Sequence, residues 1–378
     1  MRVTIVVTHL LGTGHLARAL TLGRAFAAAG DAVTVISGGT PVPHFDSAGL
    51  SLVQLPPLRS DGTDFTNLLT GEGFAADHAY HASRITCLIE KATQSAPDVL
   101  ITELFPFGRR SLKHEFQALL QACAALHPRP LILSSIRDIL APPSKPAKIT
   151  FADDLVSQFY DGVLVHSDPD VIPLERSWPV SNALRGKLHY TGFVAPPAPA
   201  MDGAPDGDII VSAGGGSVGD AVFAAACAAA SQTAHRRWRM LVGGDDARRA
   251  AWADRAPAHI TVEAPRSDFR TLLTGAAASV SMCGYNTALD VLQTGVPAVL
   301  VPFDDGGEVE QTLRAEALQT LPGITVVPQA GLDGDRLTAA VDAVVAGTRR
   351  LARTIGMDGA RKTVDIVHVL KTGGSDAH

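Results

Sequence analysis

The stretch whose residue types and spacing most clearly suit a chemical function runs from Ser281 to Asp290. A short apolar run, Ala277 to Val280, precedes it and predicts a buried strand, and Gly284 permits a tight turn. Asn286 or Thr287 is then a suitable N-cap for a short helix. A helix N-terminus after a glycine turn presents free backbone N–H groups and the positive end of the helix dipole. This stretch therefore suits a phosphate group.

Polar side chains continue beyond this turn. Asp290 lies within the predicted helix, and Glu310 and Gln311 follow the next apolar strand, Ala298 to Val301. Because carboxylates and amides bind hydroxyl groups, these side chains suit the hydroxyls of a sugar. Each also has an ordinary explanation: Asp290 as a solvated helix carboxylate, and Glu310 as an acid that complements a helix dipole. Together with the phosphate site, they predict a nucleotide-sugar site.

A second candidate lies at the start of the chain, where Val3 to Val7 predicts a buried strand. Gly12, Thr13 and Gly14 follow it, and His15 comes directly after them. An imidazole has an ordinary pKa near neutrality, so His15 can serve as a general base. The alternative is that His15 caps or packs against its own helix. The spacing does not fit the G-x-G-x-x-G of dinucleotide-binding proteins.

The elements that position these residues alternate between strand and helix. This alternation predicts a parallel sheet with helices on both faces. Ligands of such sheets bind beyond the carboxyl ends of the strands. That rule predicts a group of side chains around one cleft: His15, Glu103, Arg109, Arg137 and Asp138. The segment from Arg137 to Lys148 is rich in proline and predicts a loop.

Length and composition predict two domains of ordinary size in the 378 residues. Residues 194–208 are rich in Pro, Ala, Gly and Asp, as linkers are. We therefore predict one domain at residues 1–193 and a second at 209–357. A last helix at about 358–378 is predicted to pack back on the first domain.

The turn that opens the second domain contains Gly214, Gly215, Gly216 and Ser217 before an alanine-rich helix. Such a turn can hold a diphosphate with its backbone N–H groups. An ordinary strand-to-helix turn, which glycine also serves, is the alternative.

The overall composition excludes several classes of function. The net charge of -6 gives no basic surface for nucleic acid. The four cysteines show no C-x-x-C spacing, which predicts buried free thiols in a reducing compartment. The N-terminus lacks a signal-peptide layout, and the longest apolar runs are too short to cross a bilayer. We therefore expect a cytoplasmic protein, and a local basic patch leaves peripheral membrane contact open.

The loop from Phe105 to Arg110, together with Lys113, mixes aromatic and cationic side chains. It could contact a lipid or an anionic acceptor. A loop with solvated arginines explains the same residues. Asp168-Pro169-Asp170 spells D-x-D but follows a strand of the first domain, so we interpret it as a turn, and the sequence predicts no metal site.

Three motifs give the chain a resemblance to GT-B glycosyltransferases of the MurG-like branch, which have a family-28-type C-terminal domain. They are Gly12-Thr13-Gly14-His15-Leu16, Gly214-Gly215-Gly216-Ser217, and the segment from Gly284 to Gln311 with its Gly-x-x-Thr-x-x-Asp and late Glu-Gln. The third is the most specific. The chain departs from the family in having Asp290 where Glu is more frequent. Its first loop also has fewer glycines than the lipid-intermediate enzymes, so a lipid acceptor does not carry over.

The resemblance implies an α/β protein of GT-B fold, with two Rossmann-like doubly wound domains facing across a cleft. It implies transfer of a hexose from a nucleoside-diphosphate sugar, UDP-linked, to the hydroxyl of an acceptor that the motifs do not identify. The transfer would proceed with inversion, without a metal ion and without a cofactor. His15 would be the base, with Gly12, Thr13, Gly14, Glu103 and Arg109 on the acceptor side.

The donor would be bound by residues of the second domain: Gly214, Gly215, Gly216, Ser217, Arg266, Phe269, Gly284, Asn286, Thr287, Asp290, Glu310 and Gln311. Among these, Asp290 would hold the ribose hydroxyls, and the turn with Arg266 and Phe269 would meet the nucleotide base. Two alternatives stay open, namely a nucleotide-sugar epimerase or hydrolase of the same fold, and a non-catalytic nucleotide-sugar binder.

Overall fold

The computed structural model describes residues 1–10, 13–42, 45–61, 67–200, 207–214, 218–304, 309–352 and 356–373. The chain divides into two compact units. The first combines Met1–Val194 with Asp358–His378, and the second is Ala195–Met357. The second unit is thus an insertion in the sequence of the first.

The first unit is built on a parallel sheet of seven strands. In chain order its strands and one small hairpin are β1 (Arg2–Val7), β2 (Ala32–Ser37), β3 (Ser51–Gln54), β4 (Leu58–Arg59), β5 (Leu69–Thr70), β6 (Val99–Glu103), β7 (Leu131–Arg137), β8 (Gly162–His166) and β9 (Leu188–Tyr190). The spatial order of the sheet is β3-β2-β1-β6-β7-β8-β9, and β4 pairs with β5 in antiparallel fashion. In register, Val6 of β1 pairs with Thr102 of β6.

Helices cover both faces of this sheet. They are α1 (Gly14–Ala28), α2 (His78–Gln94), α3 (Lys113–Ala124), α4 (Pro146–Phe159) and α5 (Asn182–Arg185), with short 3₁₀ turns at Arg110–Leu112 and Leu174–Arg176. Val3 and Ile5 of β1 pack in the same cluster as Phe26 of α1. Val6 points to the other face and packs in a cluster with Phe116 of α3. Burial on both faces explains why the residues of β1 after the exposed Arg2 are apolar except for Thr4 and do not alternate with exposed polar residues.

The second unit repeats this architecture with six parallel strands. Its elements are β10 (Ile209–Ser212), α6 (Asp220–Gln232), β11 (Trp238–Leu241), α7 (Asp246–Arg255), β12 (Ile260–Glu263), α8 (Phe269–Gly275), β13 (Ala278–Ser281), α9 (Tyr285–Thr294), β14 (Ala298–Leu300), α10 (Glu310–Leu318), β15 (Ile324–Val326) and α11 (Gly334–Ala346). The strand order is β12-β11-β10-β13-β14-β15. α6 packs closely on α11, where a Cβ on Gly334 would lie 2.6 Å from the Cβ of Ala228.

The last helix, α12 (Gly359–Gly373), returns to the first unit and packs on α1. Val194 and Asp358 form an antiparallel bridge, and the Gly359 N–H donates to the Phe193 carbonyl at 2.9 Å. A side chain at Gly359 would collide with the backbone of Gly192 and Phe193. Glycine is therefore required where the chain re-enters the first unit.

Three local predictions need correction. The segment from Arg137 to Lys148 is not all loop, because β7 extends to Arg137 and α4 begins at Pro146. Proline suits the first position of a helix, because its fixed φ is close to the helical value. The N-cap of α9 is Gly284 rather than Asn286 or Thr287. The four cysteines are free as predicted, but Cys87 and Cys227 are only partly buried. Across the described residues, no helix combines the length and apolarity needed to span a membrane.

Candidate active site

A histidine–carboxylate pair lies at the carboxyl edge of the first sheet. Thr13 precedes α1 and Gly14 begins it, so His15 lies in the first turn of that helix. Glu103 is the last residue of β6, which pairs directly with β1. The His15 Nδ1 atom lies 2.7 Å from the Glu103 Oε1 atom. The predicted base and one predicted acceptor-side residue are therefore in direct contact, while Gly12 lies outside the described residues.

Arg18 completes this cluster, which we call the histidine site (His15, Arg18 and Glu103). Arg18 donates from Nη2 to the same Oε1 atom that contacts His15. The Glu103 side chain is only 2% exposed. Burial alone would raise the pKa of Glu103, but the contact with His15 and the positive charges of Arg18 and Arg109 outweigh burial and lower it. Glu103 is therefore an anion at neutral pH.

These contacts determine the tautomer of His15. An ionised carboxylate only accepts hydrogen bonds, so Nδ1–H donates to Glu103 and Nε2 carries the lone pair. Burial lowers the pKa of His15 to about 4, although the attraction of Glu103 opposes this shift. The ring is thus neutral at pH 7. Within the described residues Nε2 has no hydrogen-bond partner, so it can accept a proton from a ligand.

A second histidine of the same sheet shows the structural alternative. His166, at the end of β8, is fully buried and uses both ring nitrogens. Its Nε2 atom lies 2.7 Å from the Ser135 hydroxyl and its Nδ1 atom lies 2.8 Å from the Thr191 hydroxyl. Burial lowers its pKa to about 3. His166 therefore holds three strands together, whereas His15 keeps one nitrogen available.

Arg109 approaches the histidine site from the loop after β6. Its Nε–H donates to the Thr8 carbonyl, just past β1, at 2.6 Å. Its backbone has a φ of 56°, and Leu104, at the other end of the loop, has a φ of 66°. Both are left-handed conformations that side chains other than glycine adopt rarely. Arg137 ends β7 at the same edge, and Asp138 follows it and is buried.

The predicted phosphate turn lies in the second unit. β13 ends at Ser281, Gly284 is the N-cap, and α9 begins at Tyr285. The first turn of α9 contains no acidic residue, and its N-cap residue, Gly284, has no side chain to cap it. Asn286 is exposed, Thr287 is partly exposed, and the space next to Gly284 is open. Backbone N–H groups of this turn can therefore meet an anion.

The glycine turn after β10 is described only in part. Gly214 has a φ of 80°, a left-handed conformation that suits glycine. Gly215, Gly216 and Ser217 lie outside the described residues, so their predicted contact with a diphosphate stays a prediction.

Asp290 has a partner within the protein. Its Oδ1 atom accepts a hydrogen bond from Arg270 Nε at 2.9 Å, and its residue is 9% exposed. Arg270 also donates to Gln293 and, at 2.6 Å, to the Pro197 carbonyl. Burial raises the pKa of Asp290 to about 6, while Arg270 opposes that shift. Asp290 thus helps to fix the start of the second unit, and its contact with a ribose stays a prediction.

Arg314, which sequence analysis missed, connects two predicted donor-binding segments. It is 1% exposed and donates to the Cys283 carbonyl at 2.9 Å and to Glu310 at 3.0 Å. Arg314 therefore holds both the turn before α9 and the first residue of α10. Gln311, next to Glu310, accepts a hydrogen bond from the Phe303 N–H at 3.2 Å.

The predicted base-binding turn is more exposed. Arg266 makes ion pairs with Asp268 and Glu263, both nearby in sequence. Phe269 is partly exposed and begins α8, which packs on α9. Neither contact tests the predicted role with a nucleotide base.

Two signals could have found the missed arginines. Arg18 follows His15 by three residues and Arg314 follows Glu310 by four, so each pair shares one face of its helix. A search for arginines at helical spacing from each candidate residue would have included both.

Comparison with known proteins identifies the domain that carries the predicted phosphate turn. Residues 261–369 match the glycosyltransferase family 28 C-terminal domain. The structure of MurG from Acinetobacter baumannii aligns over 97% of this chain and 99% of that chain, with a TM-score of 0.64 and 16% identity. The fold is GT-B. The calicheamicin glycosyltransferase CalG4 has the same fold, with a TM-score of 0.61 and 16% identity over 100% of this chain and 97% of that one.

Sequence relatives agree with this fold. The UDP-N-acetylglucosamine--N-acetylmuramyl-(pentapeptide) pyrophosphoryl-undecaprenol N-acetylglucosamine transferase of Gloeobacter violaceus is 28% identical over 188 residues, which cover 46% of this chain and 52% of that protein. The chain thus matches about half the length of this curated relative. The predicted resemblance to MurG-like GT-B proteins and the predicted fold class are confirmed, and the likeness to glycosyltransferases supports an enzyme of the GT-B type.

Some structural neighbours contain ligands. The glycosyltransferase VinC was solved in complex with DTDP, with a TM-score of 0.59 and 15% identity over 100% of this chain and 98% of that one. Phytolacca americana UGT2 was solved with UDP-2fluoro-glucose and pterostilbene, with a TM-score of 0.59 and 15% identity over 98% of this chain and 93% of that one.

Proposed function

We propose that this protein is a glycosyltransferase that moves a hexose from a UDP-linked sugar to an acceptor hydroxyl. The observation that carries the proposal is the histidine site, in which Glu103 orients a neutral His15 whose Nε2 atom has no hydrogen-bond partner in the described residues. That arrangement is a base ready to take a proton from a hydroxyl. Structural neighbours bound to UDP-2fluoro-glucose or DTDP support a nucleoside-diphosphate donor.

In the proposed reaction, the acceptor hydroxyl donates its proton to His15 Nε2 as its oxygen attacks the anomeric carbon. The bond from that carbon to the diphosphate breaks, and the electron pair leaves with the diphosphate. Glu103 stabilises the imidazolium that forms, because its carboxylate is already ionised and already bonded to Nδ1–H. A single displacement by the acceptor oxygen inverts the configuration of the sugar.

The second unit would receive the diphosphate at the start of α9. The positive end of that helix and the backbone N–H groups near Asn286 and Thr287 meet negative charge as it develops. This device needs no metal ion, so we propose a metal-independent reaction without a cofactor. Glu310, held by Arg314, is proposed to contact sugar hydroxyls.

The discriminating experiment measures UDP release from UDP-glucose and UDP-N-acetylglucosamine, with and without a cell extract that supplies acceptors. Release that requires the extract supports transfer. Release without the extract indicates a hydrolase, and sugar conversion without release indicates an epimerase. Binding without turnover indicates a non-catalytic binder.

A matched pair of variants assigns the base. His15→Gln should abolish extract-dependent release while donor binding is retained. His368→Gln is the control, because His368 also contacts a carboxylate, with Nε2 lying 2.8 Å from Asp31, but lies on α12. Full turnover by His15→Gln would contradict the proposed role of His15.

A further inference from the structure

The charges around the histidine site are not balanced. Glu103 is in direct contact with Arg18, which compensates its charge. Arg109 adds a second positive charge close enough to lower the pKa of His15, and it makes no ion pair among the described residues. Charged groups that leave bulk water are normally paired, but among the described residues Arg109 shares the charge of Glu103 with Arg18 and has no carboxylate of its own.

The donors of Arg109 are also mostly unused. A guanidinium has five N–H groups, and within the described residues only Nε–H of Arg109 has a hydrogen-bond partner, the Thr8 carbonyl. The side chain is partly exposed, so its two Nη groups can be reached by a ligand. Two parallel Nη or Nε donors match the geometry of a carboxylate or a phosphate.

The loop that carries Arg109 has a strained backbone. The left-handed φ values at Leu104 and Arg109 occur at the two ends of one short loop. A solvated surface arginine needs no such conformation, and strained residues of this kind concentrate at ligand sites. The hydrogen bond to the Thr8 carbonyl then fixes the side chain next to the end of β1, the strand that leads to His15.

We propose that the acceptor carries an oxyanion, a carboxylate or a phosphate, and that Arg109 binds it beside the hydroxyl that His15 deprotonates. This inference rests on the proposed transferase function and adds a substrate class to it. Arg109 is then the residue that selects anionic acceptors. Burial and repulsion from Arg137 and Arg18 lower the pKa of Arg109, with partial compensation by Glu103, and a bound anion would relieve that repulsion.

The anion site can be tested without turnover, with inorganic phosphate and acetate as probes. The full-length protein is labelled with ¹³C-histidine, and the His15 signal is identified by its loss in His15→Gln. Either salt is titrated against sodium chloride at constant ionic strength. We expect a saturable shift of the His15 signal and a rise of its pKa, because a nearby anion stabilises the imidazolium.

Variants locate the bound anion. Arg109→Gln should weaken the apparent affinity by about tenfold or more, the loss expected for a charge-assisted hydrogen bond. Arg129→Gln, which removes an exposed arginine paired with Asp161, should leave the affinity unchanged. No saturable shift in the wild type, or an equal shift in Arg109→Gln, would overturn the proposal.

A second arm uses the proposed reaction. The extract is passed over an anion-exchange resin, and acceptor activity is expected in the fraction that salt releases. Acceptor activity only in the unbound fraction would overturn an anionic acceptor. Phosphatase treatment that abolishes the retained activity assigns a phosphate monoester. If no fraction supports UDP release, the transferase proposal fails, while the histidine signal still tests the anion site.

Discussion

Two buried arginine–carboxylate pairs in the first unit differ in how the carboxylate is used. The side chains of Arg84 and Glu115 are almost fully buried, and they form a bidentate ion pair, with Nε–Oε2 at 3.0 Å and Nη2–Oε1 at 2.9 Å. Arg84 also donates to the carbonyls of Gly38 and Pro56. Both oxygens of Glu115 are occupied, so this pair holds α2, α3 and the loop after β2 together.

In the Arg18–Glu103 pair, by contrast, only one carboxylate oxygen accepts hydrogen bonds within the described residues. One oxygen of Glu103 accepts from both Arg18 and His15, while Oε2 is buried and has no partner among the described residues. The pair also supports a histidine with an available nitrogen. A buried polar atom without a partner is rare and needs an explanation. The difference teaches that a saturated ion pair belongs to the architecture, whereas an unsaturated one beside a titratable group indicates a site.

The largest expected effect separates the two pairs at His15. His15→Gln should lower kcat by about 10²- to 10⁴-fold, the range that a general base contributes. Its melting temperature should stay near that of the wild type, because the side chain is not part of the saturated pair. Steady-state kinetics and calorimetry measure the two quantities. Comparable losses of stability and turnover would mean that His15 is structural.

Substitution of each glutamate tests the comparison directly. Glu115→Gln should lower the free energy of unfolding by about 3–5 kcal/mol, because it leaves Arg84 as an unpaired buried charge. Its remaining folded fraction should keep its kcat. Glu103→Gln leaves the buried Arg18 without its carboxylate and should also lower stability, but it alone should lower kcat, by about 10²-fold, since the imidazolium loses its carboxylate. Urea unfolding and kinetics on both variants are the measurements, and an equal loss of kcat in the two variants would break the comparison.

The pH dependence sharpens the role of Glu103. Since the pKa of His15 in the ligand-free protein is about 4, kcat/KM should rise as pH increases through that value and then level off. The carboxylate of Glu103 raises this pKa, so Glu103→Gln should move the acidic limb to lower pH.

The same shift affects stability. His15 has a lower pKa in the folded protein than its ordinary 6.5, so its contribution is complete above about 6.5 and is lost as pH falls toward 4. The stability of His15→Gln should therefore be less sensitive to acid over this window, as measured by urea unfolding at several pH values.

The kinetic prediction has its own contradicting outcome. If the acidic limb of kcat/KM stays at the same pH in Glu103→Gln, the carboxylate does not act through His15.

The smallest expected effect concerns a third buried arginine pair, Arg314 with Glu310. Arg314→Gln should raise KM for the donor by about tenfold through misplacement of the turn at Cys283, with little change in the acceptor KM. Isothermal titration with UDP provides an independent measurement. An equal rise for donor and acceptor would indicate general loosening of the fold.

Sequence periodicity predicted the alternating elements because apolar runs and glycine turns are local signals. It predicted the strands around Val3 to Val7 and Ile209 to Ser212, and it placed His15 and Glu103 at one sheet edge. It missed α4, whose proline-rich entry resembles a loop. It also missed Arg18 and Arg314, because their roles depend on contacts with Glu103 and the Cys283 carbonyl, which lie 85 and 31 residues away.

The bridge between Val194 and Asp358 has a practical consequence for dissecting the protein. The places where the chain leaves and rejoins the first unit are neighbours, so a short peptide splice from Val194 to Asp358 would close the gap without disturbing the sheet or α12. The first unit, which contains His15, could thus be produced as a separate, smaller protein.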